Sequence, residues 1–568
     1  MLRSLNRICI SPRTITTHRV VLPQHRNTKP PALPHFHLFP MSTAGPCNTI
    51  LDAIGGTPLV KLNRIPREYD VQCNIYAKLE YFNPGGSVKD RIALKMIQKA
   101  ENEGRLRPGM TIIEPSSGNT GIALALVAAV KDYKCIVVMP QRMSDEKLHV
   151  LKALGARVRR TPNVAYDSPD SHISVAHRMR NEIQDSVVLD QYKNPANPDS
   201  HSEGTGNELV AELDGKVDMV VIGAGTGGTI TGVARKVKSV NPACIIVGVD
   251  PVGSLISCPN GCKAPFEVEG IGHDFVPANL DKSLVDEWIQ VADIDSFNTA
   301  RKATSREGIL CGGSAGSIIW AAMQASKKLK KGQNCVLIIP DGVRNYYSRF
   351  ISTEWMTMKR FMVEERPYEL ALKPVQLEHS VLGAISQTPL VRLNKIPQSL
   401  GVQCEIYAKC EFLSPSFTIE DRFALMLIEE AERGAKLQPG MTIIRPTTGN
   451  FDLGIALVAA VKGYKLILVT SSKISEEKED LLKALGAQIA YASPESYLKV
   501  SHCLNQEIAD SVVLERDPSV VRVYERIVRE ILEALDCVDL VIFKDSIIRL
   551  GANGAIAKIE SCLTPPTE

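Results

Sequence analysis

The chain has 568 residues, 44% of them hydrophobic and 23% charged, a globular composition over more length than one core usually needs, so two or three domains are expected. Lys and Arg number 66 against 63 Asp and Glu, a net charge of +3, which gives no electrostatic case for a nucleic-acid or membrane-surface partner. The longest apolar runs, such as Ile122 to Val130, fall far short of the roughly 20 residues of a bilayer span.

From the N-terminus, residues 1–46 read as a leader outside the fold. No Asp or Glu precedes Asp52, Arg3, Arg7, Arg13, Arg19 and Arg26 alternate with Ser, Thr and His, and prolines gather from Pro23 to Pro40. Such a segment fits a mitochondrial targeting sequence or a disordered leader with Met41 as a second start. Because Ser11-Pro12 breaks its helical amphipathicity, a cytoplasmic protein is the expectation and a mitochondrial one the alternative. The 14 cysteines follow no framework spacing, which suits a reducing compartment. Cys258 and Cys262 offer two ligands where structural zinc takes four, so no metal site is expected.

The rest of the chain repeats itself. Thr57-Pro-Leu-Val-Lys-Leu-Asn-Arg-Ile-Pro66 returns as Thr388-Pro-Leu-Val-Arg-Leu-Asn-Lys-Ile-Pro397, Ile75-Tyr-Ala-Lys78 as Ile406 to Lys409, Leu151 to Ala156 as Leu482 to Ala487, and Asp185 to Leu189 as Asp510 to Leu514. Two copies of one domain are predicted: residues 47–355 complete, 356–377 a linker, and 378–568 a copy that lacks its last third.

Within the first copy, Met110–Glu114, Cys135–Met139, Met219–Ile222, Ile245–Val249 and Cys335–Pro340 read as buried parallel strands. They alternate with helical segments such as Asp90–Glu103 and Glu146–Leu154, which predicts an α/β layered fold with ligands beyond the carboxyl ends of the strands. Three loops follow such strands or open a helix. Gly223-Ala-Gly225-Thr226-Gly227-Gly228-Thr229 presents backbone N–H groups at a helix start and suits a phosphate. With Asp250 near a strand end it also fits a dinucleotide site. Asn83-Pro-Gly-Gly-Ser-Val-Lys89-Asp-Arg91 sets a lysine at a helix start, where the dipole and neighbouring positive charge would lower its pKa; a merely solvated lysine is the plain alternative. Glu114-Pro-Ser116-Ser117-Gly-Asn119-Thr120-Gly121 offers hydroxyls, a carboxamide and N–H groups that can hold a carboxylate. Lysine, phosphate loop and carboxylate loop together suit pyridoxal phosphate acting on an amino acid better than a nicotinamide.

On these motifs, residues 48–355 resemble the cysteine synthase/cystathionine β-synthase family of pyridoxal-phosphate enzymes. The resemblance implies fold type II: two layered α/β subdomains with mostly parallel sheets, here followed by the truncated copy. It implies that Lys89 carries the cofactor covalently and serves as catalytic base, that Gly225, Thr226, Gly227, Gly228 and Thr229 hold its phosphate, that Asn119 meets the ring oxygen, and that Ser314 faces the ring nitrogen. Ser116, Ser117, Thr120 and Gln191 would bind the substrate carboxylate, and Tyr192, Gly270, Ile271 and Gly272 would wall the second substrate. The stretches Gly248–Ser254, Glu267–Pro277, Leu310–Gly316 and Asp341–Tyr346 tip the resemblance within the family towards joining serine and homocysteine into cystathionine. A cysteine synthase using O-acetylserine or serine with sulfide is the alternative within the class, and a regulatory pseudoenzyme the alternative outside it.

The chain departs from the family pattern at His273 and at Ser202, both expected to be tyrosine, and Cys47 follows its proline instead of preceding it, so no haem is expected. In the second copy Glu420 stands at the register of Lys89. Thr447-Thr448-Gly449-Asn450-Phe451-Asp452 replaces the carboxylate loop, and Lys544-Asp-Ser-Ile-Ile-Arg549 replaces the phosphate glycines with side chains that block close approach. That copy is expected to be folded and non-catalytic, to bind no cofactor, and to pack against the first copy or mediate self-association.

Overall fold

Runs rich in Ile and Val become central strands, and the helical periods between them cover the sheet faces. In the computed structural model, residues 45–116, 118–141, 143–261, 263–363, 377, 379–447, 452–471, 473–515, 520–535, 538, 540–542, 546–550 and 556–561 are described. The leader to residue 44, Ser117, Cys262, residues 364–376 of the expected linker, Thr448 to Phe451, and Lys544 with Asp545 lie outside them.

Two sheets build residues 47–355. The first contains β1 (Leu59–Lys61), β2 (Asn74–Leu79), β7 (Met219–Gly223), β8 (Ile245–Pro251), β9 (Glu287–Val291) and β10 (Asn334–Ile339), in the order β1-β2-β10-β7-β8-β9. Only the edge pair β1/β2 is antiparallel. The second, all parallel, contains β3 (Thr111–Pro115), β4 (Lys134–Pro140), β5 (Arg157–Thr161) and β6 (Ser186–Val188), in the order β5-β4-β3-β6. The helices are α1 (Lys89–Asn102), α2 (Asn119–Lys131), α3 (Asp145–Ala153), α4 (His172–Glu182), α5 (Asn207–Glu212), α6 (Gly228–Val240), α7 (Asp293–Glu307), α8 (Gly313–Ala325) and α9 (Thr353–Met358). This is the expected α/β architecture of two layered subdomains. The boundary drawn at 355/356 falls inside α9, because Trp355 and Met356 are both buried and hold that helix to the core.

A buried ion network joins the first subdomain to α1. Arg91 lies between Glu80 and Glu208, its Nε 2.6 Å from Glu80 and its Nη1 2.6 Å from Glu208. Lys78, fully buried, meets Glu208 at 2.9 Å and Glu212 at 2.7 Å. Buried charges persist in this way only when paired.

Residues 379–515 run through a matching order: antiparallel β11 (Leu390–Leu393) and β12 (Ile406–Lys409), then α10 (Glu420–Arg433), β13 (Thr442–Thr447), α11 (Asp452–Lys462), β14 (Lys465–Thr470), β15 (Ala487–Tyr491) and β16 (Ser511–Val513). The four parallel strands stand in the order β15-β14-β13-β16. The ion network recurs as well: Arg422 pairs with Glu411 at 2.8 Å and with Glu530 of α12 (Val520–Ala534) at 2.7 Å, and Lys409 meets Glu530 at 3.2 Å. Where the sequence placed a degraded phosphate loop, Ser546–Leu550 forms a strand, β18, between β17 (Leu540–Ile542) and β19 (Ile556–Ser561). The β-branched pair Ile547-Ile548 favours this extended backbone.

The two stretches share one core. Val381, Leu382, Ile428, Leu457 and Val461 cluster with Ile309, Ile318 and Leu337. Gly308 ends α7 at φ +68°, and a Cβ there would lie 2.4 Å from Val461 Cγ2, so the close approach requires glycine. Arg64 Nη2 donates to the Val461 carbonyl at 2.8 Å, and Cys47 N donates to Leu390 O at 2.8 Å, laying residue 47 beside β11. Among the described residues no helix is long and apolar enough to cross a membrane.

Candidate active site

The carboxyl ends of β2, β3, β7, β8 and β10 deliver their loops to one cavity of about 600 Å³, a volume usual for small-molecule sites. Of the residues singled out from sequence, Lys89, Asn119, Thr120, Gln191, Tyr192, Thr226, Gly270, Ile271, Gly272 and Ser314 line it. Ser116 does not: its Oγ accepts from Gly118 N at 3.1 Å and Gly121 N at 3.0 Å, so the hydroxyl shapes the loop from within.

Lys89 opens α1. Its pKa is lowered, as expected, but for another reason: burial dominates, and the neighbours that act on it, Asp341 and Glu80, are acidic and pull the other way. The positive neighbours inferred from sequence are turned aside, Arg91 into its carboxylate pair. A lysine whose neutral form is favoured by burial can act as nucleophile and base.

The glycine loop ends β7 and starts α6. A Cβ on Gly225 would lie 2.5 Å from Gly270 O, on Gly227 2.6 Å from Leu280 N, and on Gly228 1.8 Å from Asn197 Oδ1. These N–H groups at the head of a 13-residue helix form a cradle for an anion. Asn197 braces it, its Nδ2 donating to Thr226 Oγ1 at 2.9 Å and to Gln191 O at 2.7 Å, while its buried Oδ1 makes no hydrogen bond among the described residues. Thr229 Oγ1 is 3.2 Å from His201 Nε2. Burial, with help from Arg91 and Lys89, holds that imidazole well below its ordinary pKa and hence neutral.

Asn119 is held from two sides. Its Nδ2 donates to Asp341 Oδ2 at 2.7 Å, and its Oδ1 accepts from Asn345 Nδ2 at 3.2 Å. Tyr346 donates to the same Asp341 oxygen. Burial raises the pKa of Asp341, against the pull of Tyr346, Lys147 and Asn119. Thr120 Oγ1 donates to Gln191 Oε1 at 2.6 Å, and Gln191 Nε2 to Pro115 O at 2.9 Å. Lys147 of α3 reaches across the cleft to Glu269 and lies over the Tyr346 ring. The Tyr192, His273 and Phe275 rings pack with centroids 5.0 to 5.4 Å apart on the wall. His273 is thus placed to shape the second-substrate side, whereas Ser202 lies away from the cavity, its backbone against Gly232 of α6.

Asp341 and Glu269 lie in stretches that tip the resemblance but take side-chain roles that no motif assigns, and Asn197 and Lys147 belong to no motif at all. The strand-end position of Asp341, just beyond β10, was the signal that could have marked it. Asp250, which suited a ribose, instead accepts from Ser257 N at 2.8 Å and Ser257 Oγ at 2.7 Å and lines no part of the cavity, so the dinucleotide reading loses its acidic partner.

Glu114, just behind the asparagine loop, accepts from Gln191 N at 2.9 Å and Asp190 N at 3.1 Å. Burial nevertheless raises its carboxyl to about 8. The folded chain therefore keeps a proton that the unfolded chain releases near its ordinary carboxylate pKa, and stability should fall as pH rises through the interval up to about 8. We expect Glu114→Gln to show a smaller drop in melting temperature between pH 5.5 and pH 8 than the parent chain. An equal drop would remove Glu114 from the pH response.

The family model for pyridoxal-phosphate dependent enzymes matches residues 50–341 and 381–544. The chain belongs to the pyridoxal-phosphate dependent enzyme family. Among its relatives, the cystathionine beta-synthase of Rattus norvegicus is 52% identical over 356 residues, covering 61% of this chain and 64% of that one. The cystathionine beta-synthase of Saccharomyces cerevisiae is 45% identical over 323 residues, covering 54% and 64%. The match thus spans less than two thirds of either relative. The solved O-acetylserine dependent cystathionine beta-synthase of Helicobacter pylori is 38% identical with a TM-score of 0.50, over 53% of this chain and 97% of that one. The cavity fits the family's cofactor: a glycine loop at the head of α6 whose Thr226 reaches the lining, a half-buried lysine, and the carboxamide and hydroxyl of Asn119 and Ser314 on the lining.

Proposed function

We propose that the chain joins L-serine and L-homocysteine into cystathionine and water, a β-replacement carried out in the cavity floored by Lys89. The observation that carries this reading is the convergence of Lys89, Thr226 of the glycine loop, and Asn119 and Thr120 of the asparagine loop on one cavity, in a chain 52% identical over 356 residues to a cystathionine beta-synthase. Bound pyridoxal phosphate supplies an electron sink for the carbon next to the amino group. Lys89 holds the cofactor and moves the proton at that carbon. Gly225, Thr226, Gly227, Gly228 and Thr229 hold the phosphate, Asn119 the ring oxygen and Ser314 the ring nitrogen. A hydroxyl at that nitrogen does not keep it protonated, which favours prompt loss of the β-substituent.

Thr120 and Gln191, with Ser117, bind the serine carboxylate, and Ser116 shapes their loop from within. The serine hydroxyl leaves as water, and the homocysteine thiol adds at the β-carbon beside Tyr192, Gly270, Ile271 and Gly272. Asp341 and Asn345 keep Asn119 in place, and the Lys147–Glu269 pair excludes water from the cleft.

Residues 378–568 form, in this reading, a non-catalytic copy that packs on residues 47–355 as a second subunit would. Glu420 opens α10 as Lys89 opens α1. Asp452, at the start of α11, accepts from Thr447 at 2.5 Å and meets Lys478 at 3.5 Å, which puts a buried carboxylate where the other half has Gly121. Supplying the holoenzyme with serine and homocysteine, and separately with O-acetylserine and sulfide, tests the assignment. Cystathionine should form at least tenfold faster than cysteine. The reverse ratio would make the chain a cysteine synthase, and no turnover of either pair a pseudoenzyme.

A further inference from the structure

A second cavity, of about 190 Å³, lies between the two halves of the chain and no step of the chemistry above uses it. Phe82, Ile122, Leu126 and Leu154 line it from one half and Phe417 from the other. It is bordered by exposed Val150 and Phe412, 38% and 41% accessible, which gives a ligand a way in. Apolar cavities of about 150 Å³ accept a benzene ring, so this one has room for a ring and a short arm.

One charged group lines it. The Arg344 guanidinium lies over the Phe417 ring at 3.8 Å and donates from Nη2 to Phe412 O at 3.0 Å. Among the described residues it makes no other hydrogen bond and pairs with no carboxylate, so its remaining N–H groups are open to a ligand. The guanidinium fork matches a carboxylate in geometry as well as in charge. A ring for the apolar wall and an anion for the fork together define the ligand.

We propose that this cavity binds a small aromatic carboxylic acid, its ring against Ile122, Leu126 and Leu154 and its carboxylate on Arg344. The occupant would lie against Asn345, which lines the cavity and whose side chain supports Asn119. The site does not depend on which amino acid the larger cavity turns over, and its test needs no turnover.

Calorimetric titration of the holoenzyme, with the Lys89 cavity filled by cofactor, should show one phenylacetate bound per chain. Phenylacetamide, the neutral isostere, should bind at least tenfold more weakly. Arg344→Met should weaken phenylacetate at least tenfold, and Arg344→Lys should keep the preference for the acid over the amide. Should Arg344→Met fail to fold, the acid-to-amide ratio in the parent chain and in Arg344→Lys decides. Equal affinity for acid and amide, no saturable heat with the parent chain, or phenylacetate binding unchanged in Arg344→Met would each overturn the proposal.

Discussion

Lys89→Ala should lower cystathionine formation by about 10³-fold or more, since it removes both the covalent hold on the cofactor and the base at the substrate carbon; a positioned base alone is worth roughly 10² to 10⁴. The loss should fall on kcat, because the serine-binding groups, Thr120 and Gln191, are tied to each other and to the β3 backbone and do not lean on Lys89. The fold should survive, since the lysine side chain is half-buried at the edge of a cavity and the ion network beside it runs through Arg91. Borohydride treatment followed by mass measurement should attach the cofactor to the parent chain at residue 89 and leave the variant unlabelled. Activity within tenfold of the parent would assign the proton transfer to another group.

Gly228→Ala should cost cofactor affinity more than any other single-methyl addition to the phosphate loop. The added Cβ would lie 1.8 Å from Asn197 Oδ1 and 2.3 Å from its Cγ, so the asparagine must move. Asn197 is buried and grips both Thr226 in the phosphate cradle and the Gln191 backbone beside the substrate loop, so one methyl disturbs two binding regions. Overpacking costs about 1–3 kcal/mol and a lost buried hydrogen bond about 1 kcal/mol more. At about 1.4 kcal/mol per tenfold, that is a rise of roughly 30- to 700-fold in the dissociation constant for pyridoxal phosphate. Titrating apo-protein with the cofactor and following its absorbance measures it. A constant within threefold of the parent would show that Asn197 can yield without loss.

What could be read from sequence was local. The strand runs, the glycine loop and the lysine at a helix start each lie within a few residues of one another, and hydrophobic period and turn chemistry report on that range. What could not be read joins distant residues: Asn197 with Thr226 across 29 positions, Lys147 with Glu269 across 122, Asn119 with Asp341 across 222. No periodicity encodes such pairs. The cause of the lysine's lowered pKa lies beyond local reading for the same reason, since the nearest positive charge in sequence, Arg91, spends itself on Glu80 and Glu208, while Asp341 arrives from the far end of β10. The internal repeat was plain, but that its ion network is rebuilt through Glu530 on a helix of its own was not.

That rebuilt network limits which positions of the C-terminal half are free to vary. Truncating Arg422 would strand Glu411 and Glu530, and removing one partner of a buried pair costs about 3–5 kcal/mol, enough to unfold a marginal domain. Random mutagenesis of residues 379–535 should therefore give a landscape whose intolerant peaks are the buried salt-bridge positions, Arg422 foremost.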